Sequence, residues 1–190
     1  MEILEQIKKY APYNEREEKD KEQIIKCIEE FDDIFYRENT LAHMTASAWV
    51  TNKDHTKILM AYHNIYNSFS WLGGHADGNT NLLEVAIKEV KEEAGINNVK
   101  AISNEIFSVE ALTVDGHIKN GKYVSSHLHL NVTYLLEADD SEELIVKKDE
   151  NSAVKWFDID KAVEASNEKW FRDNVYSKLN KKLGELYEKD

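Results

Sequence analysis

From Asn81 to Gly95 the chain reads NLLEVAIKEVKEEAG, a stretch that admits one local structure. At about 100° per residue, Leu83, Ala86, Ile87, Val90 and Ala94 share one stripe, while Glu84, Lys88 and Lys91 share the opposite face. Asn81 followed by Glu84 suits an N-cap with its capping-box partner, and Gly95 suits a stop just past the last turn. The spacing therefore predicts a helix over residues 82–94. Glu89, Glu92 and Glu93 then crowd the flank between its two faces. Glutamates three and four apart repel by about 0.2–0.5 kcal/mol per pair, and anions in a last turn oppose the helix dipole by about 0.3–1 kcal/mol each. Lys88 offers Glu92 an ion pair, and a charged surface is the simpler account. A hard divalent cation with oxygen ligands would relieve the crowding more fully.

Around this helix the periodicity changes. Residues 15–38 predict a long helix, with Ile24, Ile28, Phe31 and Phe35 at helical spacing, and residues 2–10 a shorter one ending near Pro12. From about His43 the pattern is one of strands: residues 44–50, 57–63, 69–72, 101–114, 123–138 and 152–157. A short helix over 158–165 and a longer one over 167–188 close the chain. The pattern is that of an α/β protein with helices on both faces of a sheet.

With 190 residues the chain is long enough for one good-sized core, so residues 1–190 are expected to form one domain: a helical extension over 1–40, a core over 41–160 and a C-terminal helix over 161–190. A net charge of −12 argues against long nucleic acid and anionic membrane as unaided partners. No run approaches the eighteen or so apolar residues of a membrane span, and the N-terminus lacks a signal-peptide core, so a cytoplasmic location is expected. Cys27, the single cysteine, lies beside the apolar stripe of its helix and reads as a packed, inert thiol. The N-terminal helices are expected to cover a sheet edge or to form a homodimer contact.

The segment GGHADGNTNLLEVAIKEVKEEAGI, residues 73–96, resembles the Nudix box G-x5-E-x7-R-E-U-x-E-E-x-G-U, where U is a bulky aliphatic residue. Gly74, Glu89, Val90, Glu92, Glu93, Gly95 and Ile96 fall in register; Thr80 stands in place of the first Glu and Lys88 in place of the Arg. The resemblance implies a Nudix-type α/β/α sandwich with a mixed sheet, extended by helices at both ends. It also implies an enzyme that cleaves the diphosphate bond of a nucleoside diphosphate linked to another group. Carried over by position, Glu89, Glu92 and Glu93 would hold Mg2+ or Mn2+ with the carbonyl of Gly73, and Glu89 and Glu93 would take part in catalysis. In the family the replaced Glu and Arg commonly form a salt bridge; here Glu84, four residues before Lys88, offers an alternative. A later loop commonly supplies a further acid, for which Glu150 is the candidate and Asp149 its neighbour.

The substrate would be a small phosphorylated molecule. His75 lies in the loop before the box helix, close to the expected phosphates, and is a candidate substrate contact, whereas Asp77 with Gly78 suits a turn. In HLHLNVTYLL, Leu128, Leu130, Val132 and Tyr134 point one way and His127, His129, Asn131 and Thr133 the other. That polar face must line a cavity or meet partners if the sheet is covered. His127 and His129 are thus candidate substrate contacts, and a zinc site from the pair lacks a clear third ligand. Lys119 and Lys122 could meet phosphate, and Trp49, Trp71 and Trp156 could stack on a base, although such rings are more often core. Two other functions stay open. One is a binding or regulatory module of the same fold with little catalysis. The other is an isopentenyl diphosphate isomerase, whose catalytic cysteine Cys27, lying outside the box, is poorly placed to supply.

Overall fold

The computed structural model describes residues 2–119, 121–146 and 151–187. Helices α1 (Ile3–Lys9) and α2 (Glu15–Glu30) come first, then strands β1 (Ala42–Thr51), β2 (Lys57–His63), β3 (Ser68–Ser70) and β4 (Leu72–His75). Helix α3 (Leu82–Ala94) precedes β5 (Val99–Ala101), β6 (Ser108–Val114), β7 (His117–Lys119), β8 (Lys122–Val124), β9 (His127–Ala138) and β10 (Asn151–Asp158). The chain closes with α4 (Ile159–Ala162), α5 (Lys169–Phe171) and α6 (Ser177–Tyr187), the last two joined by a π-helical turn over Arg172–Tyr176. The architecture is α/β, with helices at both ends of the sequence. Among the described residues no helix is long and apolar enough to cross a membrane.

Contacts divide the chain into two compact units, one made of Met1–Ser47, Gly73–Ala86 and Ser103–Tyr134, the other of Ala48–Leu72, Ile87–Ile102 and Leu135–Asp190. In the first, β9 lies between β6 and β1, and β4 pairs with β1. The β6–β9 ladder is antiparallel from Ser108↔Thr133 to Val114↔His127. In the second, β2 takes β1 on one side and β10 on the other, both antiparallel, with β3 also on β2 and β5 on the end of β9. Trp49 is fully buried in this unit, stacked on Tyr176 at 5.5 Å with its Nε1 donating to Asn180 at 3.2 Å. Trp71 packs edge-on against Phe171 and Tyr176. The expectation that Trp49 could stack on a base therefore fails, because its ring is committed to the core.

Helix α2 stops eight residues short of the end its periodicity predicts. Asn14 caps its start, accepting from the Glu17 N–H at 2.9 Å, but Phe31 already has extended backbone (φ −118°, ψ 115°). Beyond it the chain makes successive turns, closed by Ile34 N–H to Phe31 O, Tyr36 N–H to Asp33 O and Asn39 N–H to Tyr36 O. The turns have work a helix would prevent. The carbonyl of Ile34 accepts from Met44 of β1 at 2.8 Å and that of Phe35 from Gly78 at 2.9 Å, and helical carbonyls would be spent internally. Cys27 is half-buried and burial raises its thiol pKa, in keeping with an inert role.

Both faces of β9 are buried over Leu130–Leu136, the polar one included. Asn131 is central to that face. Its Nδ2 donates to Glu110 and to Thr133, each at 3.0 Å, and its Oδ1 accepts from Thr45 at 3.0 Å and Ser47 at 2.9 Å. Ser108 extends the network, with contacts to Glu110 and, at 2.7 Å, to Glu17 of α2; Tyr10 donates to Glu17 at 2.8 Å. Glu17 and Glu110 are 1% and 2% exposed, so these bonds are what makes their burial tolerable. Asn131→Ala removes four hydrogen bonds at once, although Thr133 and Glu110 keep the bond between them; a loss of about 3 kcal/mol, or roughly 6–12 °C in midpoint, is expected by thermal unfolding. A shift under about 2 °C would mean the network contributes little.

Candidate metal and active site

Helix α3 forms as its sequence predicts, with a rotated buried face. Asn81 accepts from the Glu84 N–H at 3.4 Å, and Gly95 closes the helix at φ +70°. A Cβ at Gly95 would lie 2.5 Å from Cβ of Ile145, so glycine is required there twice over. The buried residues are Leu82, Val85, Ala86, Val90, Glu93 and Ala94, with Leu83 and Ile87 only half-buried. Glu93, expected on a flank, is 5% exposed. It is tolerated there because Nδ2 of Asn151, itself 1% exposed at the start of β10, donates to its Oε1 at 2.9 Å.

The other two box carboxylates remain nearer solvent. Lys88 approaches Glu92 at 3.4 Å and Glu89 at 3.8 Å, with side-chain exposures of 43% and 14% for the two glutamates. This ammonium relieves part of the repulsion, as the i,i+4 spacing predicts. The alternative pair with Glu84 does not form: Glu84 instead accepts from Asn79 at 3.5 Å, and Thr80 is exposed. Glu150 and Asp149, the expected later acids, lie outside the described residues; their neighbour Asn151 is the residue on Glu93.

In the first unit, Gly73 runs so close to β1 that a Cβ would lie 2.5 Å from the carbonyl oxygen of Ala46. No other residue fits without moving one strand. Asp77 and Gly78 both have positive φ, as a turn requires, and Asp77 is gripped by Arg37 through bonds of 2.7 and 2.5 Å. His75 ends β4 and meets the imidazoles of His43 and His129, which in turn meet His127. Ring centroids of His43, His75, His127 and His129 lie 4.8–5.1 Å apart in five of their pairings. Burial first, then Arg37 and His43, lowers the pKa of His75 to about 3; burial and then the neighbouring imidazoles lower that of His129 to about 2. His43 is lowered too, chiefly by burial.

His43 escaped the sequence reading because it stands in an apolar run. A signal was there: His43, Thr45 and Ser47 alternate on β1 as His129, Asn131 and Thr133 do on β9. Asn151 left no such trace. Lys122 is exposed on the β7–β8 hairpin opposite Lys119, and no described bond joins it to the other candidates. The charge of Lys119, rather than Lys122, is felt by His75.

A NUDIX domain family model matches residues 41–179, so the chain belongs to the Nudix family. The chain is similar to a Nudix-family hydrolase of Clostridium perfringens, at 23% identity over 76% of this chain and 97% of that one, with a TM-score of 0.54. It is also similar to an Ap4A hydrolase of C. elegans (16%, 77% and 98%, 0.51) and to the dihydroneopterin triphosphate pyrophosphohydrolase of E. coli (13%, 77% and 96%, 0.53). At such identities the likeness speaks to the fold alone, which is the Nudix fold. Comparison with curated protein sequences gives no significant match.

An imidazole kept neutral by the fold protonates more readily once unfolded, so the unfolded state binds more protons below about pH 6.5 and stability is lost as the pH is lowered. With a chelator present, urea unfolding should lose up to about 2 kcal/mol for each of His75 and His129 between pH 7 and pH 5. His129→Gln should flatten that slope; an unchanged slope would mean the ring is not held neutral.

Proposed function

We propose that this protein is a divalent-metal-dependent hydrolase of the phosphoanhydride bond in a nucleoside diphosphate linked to another group. The observation that carries the reading is Glu93, a box carboxylate buried to 5% exposure and held at one oxygen by Asn151, in the same last turns of α3 as the more exposed Glu89 and Glu92. Three carboxylates in five residues are a hard oxygen-donor set, and such a set suits Mg2+ or Mn2+. When bound, the ion would supply charge neutralisation at the diphosphate oxygens and an acidified water.

The chain's own residues do the rest. Asn151 fixes the carboxylate of Glu93 in one orientation, so that it can accept a proton from the attacking water without reorganising. Glu89 and Glu92 provide the remaining negative charge, held meanwhile by Lys88. The small substrates of the similar enzymes, Ap4A and dihydroneopterin triphosphate by their names, define the chemical range to try. A second reading, a binding module with little turnover, draws support from Thr80 and from Lys88 pairing with two of the three glutamates.

Release of phosphate or mononucleotide should be measured across nucleoside triphosphates, nucleotide sugars and dinucleotides, with and without Mg2+ or Mn2+. Turnover should require the metal and fall at least about a hundredfold in Glu93→Gln. Asn151→Ala should raise the metal concentration needed by about ten- to a hundredfold. No turnover with any substrate, alongside intact nucleotide binding, would favour the binding module.

A further inference from the structure

The histidine cluster is left over by this reading. One ring nitrogen from each of His43, His75 and His129 lies within 4.8 Å of the others, close enough together to be drawn onto one metal ion. His43 is 3% exposed. Its Nδ1 faces the carbonyl of Asn39 at 2.9 Å, while its Nε2 is buried with no hydrogen-bond partner among the described residues. A ring nitrogen against a carbonyl must carry the proton, so Nε2 presents a bare lone pair to the interior. Leaving such an acceptor unmet is costly.

His127 repeats the arrangement. Its Nδ1 faces the carbonyl of Ser125 at 2.8 Å, which turns another bare Nε2 toward Nε2 of His129 at 3.2 Å. Two imidazole nitrogens on one tetrahedral Zn2+, each about 2.0–2.1 Å from the ion, stand about 3.3–3.4 Å apart. A carbonyl behind the far ring nitrogen is what metal-bound histidines commonly have. The Asn39 carbonyl is itself well fixed: the Asn39 side chain donates to Asp33 at 2.8 Å and accepts from Leu41 and Ala42. A hydrogen bond from His129 to His127 would explain that pair alone and leave His43 unmet.

We propose that His43, His75 and His129, with His127 as a fourth ligand, bind a borderline divalent transition ion of the zinc class through nitrogen donors, a donor set chemically different from the carboxylates of α3. Imidazole without carboxylate selects Zn2+, Co2+ or Ni2+ over Mg2+. Rings already held neutral by burial are in the form that ligates.

The test uses the full chain without a polyhistidine tag, stripped by chelator and titrated with Zn2+ by calorimetry, followed by X-ray absorption of the Zn2+-loaded protein. Wild type should bind its first equivalent of Zn2+ in a nitrogen shell with imidazole scattering, more tightly than any further ion held by the α3 carboxylates. Glu93→Gln should keep that affinity, whereas His75→Asn and His129→Gln, both at half-buried positions and checked for folding by circular dichroism, should lose at least about a hundredfold. The proposal is overturned if wild type binds no Zn2+, if the folded histidine variants bind as wild type does, or if the shell is oxygen-rich and lost in Glu93→Gln. None of these readouts depends on turnover, so the hydrolase reading stands or falls separately.

Discussion

A carboxylate on the buried face of a helix survives only where something meets its charge, and the hydrogen bond from Asn151 to Glu93 does so here. Much of the candidate site depends on that bond. It lets α3 bury a face that includes an acid, and it ties the helix to the first residue of β10. Asn81 at one end and Gly95 at the other fix the length of the helix, so the three glutamates have a defined spacing. On the proposed reading the crowding is a stored preference for a cation; Lys88, near Glu89 and Glu92, takes up a part of it.

The first unit solves a related problem with its strands. β1 and β9 carry matching polar faces. Toward Asn131 and Thr133 that face is closed internally by Thr45, Ser47, Glu110 and, through Ser108, Glu17 of α2. Toward the other end it terminates in imidazoles, where the lone pair of His43 has no such answer. The contrast sets the two ends apart: the amide and hydroxyl groups complete one another, and the histidines invite a further ligand.

The elements with strong local signals were legible in the sequence. The limits of α3 follow from Asn81, the apolar stripe and Gly95, and the box register singles out Glu89, Glu92 and Glu93. The burial of Glu93 was not legible, because its partner is 58 residues away and no periodicity connects them. Phe31 and Phe35 kept helical spacing past the true end of α2, since the carbonyls that demanded turns there are claimed by Met44 and Gly78, distant in sequence. His127 and His129 lacked a third ligand in the sequence reading for the same reason: His43 and His75 join them only once β1, β4 and β9 assemble.

The most direct test of the central claim, that the α3 glutamates await a hard cation, is the thermal midpoint of the full chain titrated with Mg2+, an ion for which the imidazoles have little affinity. At a hundredfold excess over Kd, binding to the folded state alone adds about 2.7 kcal/mol, a rise of roughly 5–10 °C. Wild type should rise by that order and the Glu89→Gln, Glu92→Gln double variant should not respond. A wild-type midpoint unmoved by Mg2+, or an equal rise in the double variant, would contradict it.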